Sequence, residues 1–373
     1  MSRADAGRAP LGGDFALDPA ILDGPIVQQP DAFFALDPDR TVIVDSGRSA
    51  LRLAIAAAGL LGKTILLPDY LCGGIFFDVL ESMRVRWRLF PVQDDLLPRA
   101  GALEALAGDA DAVLTIDYFG LVSTAPLLDR LKQRYPALVT ILDAVQDTYQ
   151  ARVRPVRPGV DFMMASFRKT FPVPDGGFLW SRTPVDQRAV PLAPSRRSSS
   201  DAWLAGALLK HGFAGGADGG ARERAYLSAF EQAKRTFDGP PAGMSECSLE
   251  ILRRLDLEAI AAARVANYRA LASALRECRT LCPIVPVPGA GHVPLFLPVR
   301  VARGGRTACL EHLRARAIYC PVHWPRDARQ GATEAASLTL HEDTFSLPVD
   351  QRLSAGDLAR VTDALLAFDR KAA

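Results

Sequence analysis

The sequence predicts an α/β fold in which a mostly parallel sheet is covered by helices, followed by a smaller α+β region. Three observations carry this expectation. From residue 41 to about 150, apolar segments of strand length alternate with segments of helical period. These strands are apolar nearly throughout, the pattern of a parallel sheet buried on both faces. Beyond residue 245 the order changes to long helical stretches and then separated strands, with no internal repeat. A chain of 373 residues, 49% hydrophobic, can bury a large core and suggests roughly two or three domains.

Residues 1–40 are rich in Gly, Pro and Asp without a sustained period, so they read as an arm that is ordered, if at all, by packing on a partner. The β-branched run Thr41 to Val44 is a strand, Gly47 a turn, and Ser49 to Leu60 an alanine-rich helix. Thr64 to Leu67 is a second strand, stopped by Pro68-Asp69. Gly74 to Met83 is then a helix, Val85 to Phe90 a strand, Ala102 to Leu106 a short helix and Ala112 to Ile116 a buried strand. Ala125 to Tyr135 is a helix and Val139 to Leu142 a strand. Phe162 to Ser166 and Gly177 to Trp180 are adjacent strands flanking a turn.

Residues 186–244 hold the run Arg196-Arg197-Ser198-Ser199-Ser200, read as a surface loop because no strand precedes it. Helices follow from Ala202 to Leu209 and Arg222 to Phe237. Glu246 to Leu275 is mainly helical, with strands near Ile284 to Val287, Val293 to Val301 and Ala317 to Pro321. Thr307 to Arg316 and Ser354 to Phe368 complete the helices. The expected division is an arm over 1–40, a large domain over 41–244 and a small domain over 245–373.

Composition narrows the function. The net charge of +2 gives no general field for nucleic acid or an anionic membrane, and no helix-turn-helix segment or basic tail supports a transcriptional role. No apolar run approaches bilayer length, and Arg3, Asp5 and Arg8 interrupt any leader-like stretch, so the expected location is the cytoplasm. The six cysteines lack metal or redox spacing, and no metal is expected.

The chemistry is concentrated in three segments. Lys169 stands three residues after Ser166, where an apolar strand runs into a turn leading to Asp175-Gly176-Gly177. An amine on a fixed backbone beside an anion site is what an enzyme needs to hold pyridoxal phosphate as a Schiff base, with Ser166 offering a hydroxyl to the phosphate. Asp143 follows the strand Val139-Thr140-Ile141-Leu142 at the end where ligands of parallel sheets bind. It either caps the next element or keeps the pyridine nitrogen protonated, with Gln146 lying against the ring. In Ser46-Gly47-Arg48-Ser49, a glycine turn enters a helix whose free N–H groups make an anion site.

Taken together, Ser-Gly-Arg-Ser-Ala-Leu at 46–51, Leu67-Pro68-Asp69-Tyr70, Asp143-Ala-Val-Gln146, Ser166-Phe167-Arg168-Lys169 and Asp175-Gly176-Gly177 occur in the order seen in fold-type I pyridoxal phosphate enzymes. The chain most resembles the DegT-type aminotransferases, known for sugar amination, through short motifs spread over about residues 40–370. The tail segment Phe345-Ser346-Leu347-Pro348-Val349, before Leu353-Ser354 and a final helix, is similar too.

The resemblance implies a seven-stranded type of sheet in the large domain and pyridoxal 5'-phosphate as cofactor. It implies Lys169 as Schiff-base lysine, Asp143 as pyridine-nitrogen partner and Gln146 as cofactor contact. Ser166, Gly47 and Arg48 match phosphate-side positions, and Tyr70 lies in the segment that supplies a ring-stacking side chain. The chain differs from the family pattern in Arg48, where threonine is usual, in the short Ser166 to Lys169 spacing, and in lacking a histidine near Asp117. Cys72 competes with Tyr70 for the stacking place.

The implied activity is amino transfer between a small-molecule amino donor and a carbonyl acceptor, in a homodimer whose sites draw on both subunits. Another pyridoxal phosphate reaction, by a lyase, decarboxylase or dehydratase, and a non-catalytic sensor or partner protein of the same fold are the alternatives. Arg168 and Arg300 are candidates for a substrate carboxylate, and His323 is a candidate wall of the cleft.

Overall fold

The computed structural model describes residues 9–28, 35–186, 190–195, 197–213, 220–235, 239–331 and 334–372. Near its start, β1 (Leu11–Gly12) precedes β2 (Thr41–Val44), α1 (Gly47–Ala57), β3 (Thr64–Pro68), α2 (Gly73–Ser82), β4 (Arg86–Phe90) and α3 (Ala100–Ala107). Next come β5 (Ala112–Ile116), α4 (Ala125–Arg134), β6 (Val139–Asp143), α5 (Thr148–Ala151), β7 (Phe162–Ser166) and β8 (Gly177–Ser181). A helical hairpin, α6 (Arg197–His211) and α7 (Ala221–Arg235), leads to α8 (Glu246–Leu252) and α9 (Leu257–Ala274). The chain ends with β9 (Leu281–Pro283), β10 (Phe296–Val301), α10 (Arg306–Arg314), β11 (Ile318–Tyr319), α11 (Ala335–Asp343), β12 (Thr344–Pro348) and α12 (Ala355–Ala372).

Seven strands form one sheet in the order β2-β8-β7-β6-β5-β3-β4. The pairs β4/β3, β3/β5, β5/β6 and β6/β7 are parallel, while β8 runs antiparallel to both β7 and β2. Burial on both faces explains the apolar strands: Ile65 and Leu67 enter one core cluster and Leu66 the other, and Ile141 and Leu142 divide in the same way. The mostly parallel sheet predicted from the alternation is thus present. A second sheet, antiparallel and ordered β12-β10-β9, lies in the C-terminal part.

Local chemistry fixes the ends that matter for function. In α1, Leu51, Ala54 and Ile55 make a buried face, and the Ser46 side chain caps the helix by accepting from the Ser49 N–H at 3.2 Å; such a cap is worth about 1 kcal/mol. Gly177 pairs with Val44 on one side and Ser166 on the other. A Cβ there would come within 2.3 Å of the Ala165 carbonyl oxygen, so only glycine lets β2, β7 and β8 converge.

Several expectations change. The described part of the N-terminal arm is fastened to its own chain. Leu11 and Gly12 pair in parallel with Ile318 and Tyr319, and Phe15 and Leu17 are buried. Lys210 donates to the carbonyls of Gly12 and Asp14, Arg352 to those of Gly13 and Asp14, and Arg360 to that of Ala9.

The serine run is also not a loop: Ser199 and Ser200 are buried in the first turn of α6. The Ser200 hydroxyl donates to Asp175 at 2.8 Å, a partner that only tertiary structure supplies. Arg196, and Phe237 at the predicted end of α7, lie outside the described residues. The strand placed at Ile284 to Val287 falls instead at Leu281–Pro283, while α11 and β12 were not anticipated.

Candidate active site

The carboxyl ends of β6 and β7 meet the amino end of α1 around a cavity of about 120 Å³. Gly47, Arg48, Asp143, Gln146, Ser166 and Lys169 all line it, beside Ser46, so the fold brings together five of the predicted cofactor contacts and the predicted Schiff-base lysine. Each arrives for a local reason. Asp143 and Ser166 are the last residues of neighbouring strands, Lys169 ends a short 3-10 turn over Phe167–Lys169 whose Phe167 is fully buried, and Gly47 opens α1.

Tyr70 is not among them. Its ring is fully buried beside Tyr118, Trp324 and His341, with centroids 5.5, 5.3 and 5.1 Å away, and its hydroxyl donates to the His323 carbonyl. The segment after β3 instead turns Cys72 to the cavity at the start of α2. Tyr70 is held away because its hydroxyl and ring both have partners in the core.

Burial sets the electrostatics. Asp143 is pushed from 3.8 up to about 6 by loss of solvent, against the Val145 N–H that it accepts at 2.7 Å and the charge of Lys169. Lys169 is lowered, first by burial, while Cys72 and Asp143 act in the opposite direction. Burial likewise raises the Cys72 thiol.

Gln146 is fixed through its side-chain oxygen, which accepts from the Phe119 N–H at 3.1 Å. Its buried amide nitrogen has no protein partner. Behind this wall Asp117 and Asp147 share Arg154, at 2.9 and 3.0 Å, and burial raises both carboxyls.

A larger cavity of about 460 Å³ adjoins the first and shares Arg168, Lys169 and Lys234 with it. The N-terminal strap supplies part of its wall through Gly12 to Phe15. His323 lines this outer cavity with its Nδ1 2.8 Å from the Ser346 hydroxyl, and burial with the Lys169 charge lowers it to about 3, so it is neutral. Arg168 reaches both cavities. Arg300 lines neither and pairs with Asp94 at 3.1 Å.

Trp324 and Lys234 are among the lining residues absent from the sequence-based set. No local pattern marks either one, because each comes from an element far along the chain. No group of residues suited to a metal ion occurs among the described residues, and no helix among them is long and apolar enough to cross a membrane.

No protein-family model matches the chain, and no curated protein matches it. Solved structures do. Helicobacter pylori PseC, an aminotransferase involved in the biosynthesis of pseudoaminic acid, superposes with a TM-score of 0.68 at 13% identity, covering 98% of this chain and 100% of that one. The aminotransferase TlmJ from Streptoalloteichus hindustanus gives 0.67 at 17% identity, with 96% and 98% covered. DesV of S. venezuelae, solved in complex with a ketimine intermediate, gives 0.63 at 20% identity, with 98% and 92% covered. Over 96–98% of its length the chain therefore has the fold of these aminotransferases.

Proposed function

We propose that this protein is a pyridoxal phosphate-dependent aminotransferase that moves an amino group between a small-molecule donor and a carbonyl acceptor. One observation carries the reading. Lys169, Asp143 and the unpartnered amide of Gln146 face a single buried cavity on a fold shared with aminotransferases.

The residues present fit the cofactor. An unmatched buried amide donor such as Gln146 Nε2 calls for a polar ligand, and a Cβ on Gly47 would press to 3.1 Å from Val145 Cγ2 and narrow the cavity. Lys169 would hold the cofactor covalently, Asp143 its ring nitrogen, Gln146 a ring substituent, and Ser46, Gly47, Arg48 and Ser166 its phosphate. When bound, the cofactor supplies a sink for the electrons left as an amino acid gives up its α-proton.

The chain's own groups supply the remainder. A depressed Lys169 ammonium has more of its amine free at neutral pH, so Nζ can serve as nucleophile and as the base that takes and returns a proton. Asp143, buried in the same cavity, would accept a hydrogen bond from a protonated ring nitrogen and so regain a counter-charge for its carboxylate. The outer cavity receives donor and acceptor in turn, with neutral His323 and the strap as walls.

The cytoplasm and a homodimer complete the reading. Six cysteines without metal or redox spacing suit a reducing compartment, and sedimentation of an active monomer would reject the dimer.

The test is the absorption spectrum of purified protein with pyridoxal phosphate before and after borohydride, with peptide mapping. A reducible band and a pyridoxyl group on Lys169, both absent in Lys169→Ala, are expected. Build-up of the pyridoxamine form with an amino donor would separate transamination from lyase or decarboxylase chemistry. An adduct elsewhere, or none, would sink the assignment.

A further inference from the structure

A single residue outside both cavities is bonded to the wall of each. Phe119 follows β5 in a short 3-10 turn, is fully buried, and has a left-handed backbone with φ 58° and ψ 11°. Residues other than glycine seldom adopt this conformation, and a bulky side chain held there marks a place where the surrounding structure dictates the backbone.

Among the described residues, Arg84, Leu96 and Ala317 share the conformation without being glycine. Each sends its N–H to the carbonyl three residues back, at Glu81, Gln93 and Arg314, so each amide closes a local turn. Phe119 is bonded to distant segments instead. Its N–H donates to Gln146 Oε1 at 3.1 Å, and its carbonyl accepts from the Leu295 N–H at 2.7 Å. Gln146 lines the inner cavity and Leu295 the outer one.

The neighbours of Phe119 hold this arrangement from both sides. Gly120, left-handed at φ +66°, approaches Val293 so closely that a Cβ would come within 2.4 Å of its carbonyl oxygen. The Gly120 carbonyl accepts from His292 Nδ1 at 3.1 Å. The Phe119 ring stands edge-on to His323 of the outer cavity, with centroids 5.5 Å apart. On the cofactor side, the Asp117 N–H donates to the Asp143 carbonyl at 2.9 Å.

The orientation of Gln146 follows. A side-chain amide can offer its oxygen or its nitrogen. The Phe119 N–H takes the oxygen, which leaves the buried nitrogen, without a protein partner, to the cavity. A negative φ at Phe119 would turn its carbonyl elsewhere, and the bonds to Gln146 and Leu295 could not both persist.

We propose that Phe119 is a positioning residue that couples the two cavities: its left-handed backbone holds Gln146 as a hydrogen-bond donor toward the cofactor and fixes the Leu295 wall toward the substrate. The inference rests on the function proposed above and adds that filling the inner cavity firms the wall of the outer one.

Two substitutions separate backbone conformation from packing. Asparagine accepts the left-handed region and valine resists it, whereas valine suits a buried apolar site better. In cofactor-free Phe119→Val the turn should relax, and ligand binding must then restore it. Titration with pyridoxamine phosphate, followed by fluorescence or calorimetry, should show an affinity about tenfold below that of Phe119→Asn. Packing alone predicts the opposite order, so equal or reversed affinities would overturn the proposal.

Hydrogen exchange tests the coupling with Phe119 intact. Saturating pyridoxamine phosphate should slow the Leu295 amide about tenfold in the parent, and by no more than about twofold in saturated Gln146→Ala. The Ala302 amide, just past the far end of β10 and bonded to the Thr280 carbonyl, should keep its rate. An unslowed Leu295 in the parent, equal slowing in the two proteins, or equal slowing of Ala302 would refute the coupling. Parent protein that does not bind pyridoxamine phosphate would defeat the cofactor reading itself, and this one with it.

Discussion

Asp143→Asn should make the cofactor-free protein more stable at pH 8, although it removes a proposed cofactor ligand. The carboxyl is buried and raised from 3.8 to about 6, with desolvation as the main cause. Between these values the folded protein binds a proton that the unfolded chain has lost, so stability falls as pH rises through this window. By the linkage relation the ionised side chain costs about 3 kcal/mol above pH 6, and little near pH 4. Asparagine is neutral at every pH, and its side-chain oxygen can still accept from the Val145 N–H now 2.7 Å from Asp143.

Urea midpoints measured on cofactor-free parent and variant at pH 8 and at pH 4.5 read the effect directly. The variant should lead at pH 8 and lose most of that lead at pH 4.5, while its affinity for pyridoxamine phosphate drops. A midpoint difference independent of pH, or a variant weaker at pH 8, would refute the reasoning that burial rather than a favourable contact governs this carboxyl. The trade is typical of sites whose strain is relieved by the ligand.

Tyr70→Phe should lower stability by about 1 kcal/mol, the worth of its hydroxyl bond to the His323 carbonyl, and leave pyridoxamine phosphate affinity unchanged in the same titration. A large affinity loss would return Tyr70 to the cofactor. Asp175→Ala strips the carboxylate shared by the Ser200, Ser245 and Ser248 hydroxyls; a melting curve should show a loss of about 3 kcal/mol, because three buried hydroxyls each lose a charged acceptor. Asp175→Asn should lose less, and an unshifted melt would show that the cluster holds nothing. Gly12→Ala puts a Cβ 2.2 Å from the Tyr319 carbonyl oxygen at a φ of +83°, so it should detach β1. Hydrogen exchange at the Leu11 amide, which donates to the Ala317 carbonyl at 2.9 Å, should accelerate, and protection equal to the parent's would contradict this.

The legible part of this protein was the part governed by local rules. Ala112 to Ile116 and Phe162 to Ser166 were bounded correctly because continuous apolar runs ended in turn residues or in a break of pattern. The inner cavity was foreseeable because Asp143, Ser166 and Gly47 occupy strand and helix ends, where a parallel sheet must present them on one side.

What escaped notice depended on partners distant in sequence. Ser199 and Ser200 read as loop because nothing local reveals that Ala233 and Asp175 await their hydroxyls. For Tyr70, a short motif fixes the segment but not which side chain turns toward the cavity, and the core around Trp324 and His341 holds its ring. Trp324 and Lys234 could not have been selected from pattern at all, since each reaches the cavity only after the chain has closed on itself.

The fastening of the N-terminal strap has an evolutionary consequence. Lys210, Arg352 and Arg360 grip main-chain oxygens of residues 9–14, groups that every amino acid carries. Mutation can therefore exchange the side chain at Asp14, which lines the outer cavity, without removing these main-chain attachments. Selection has in this wall a surface on which substrate preference can drift while the scaffold stays the same.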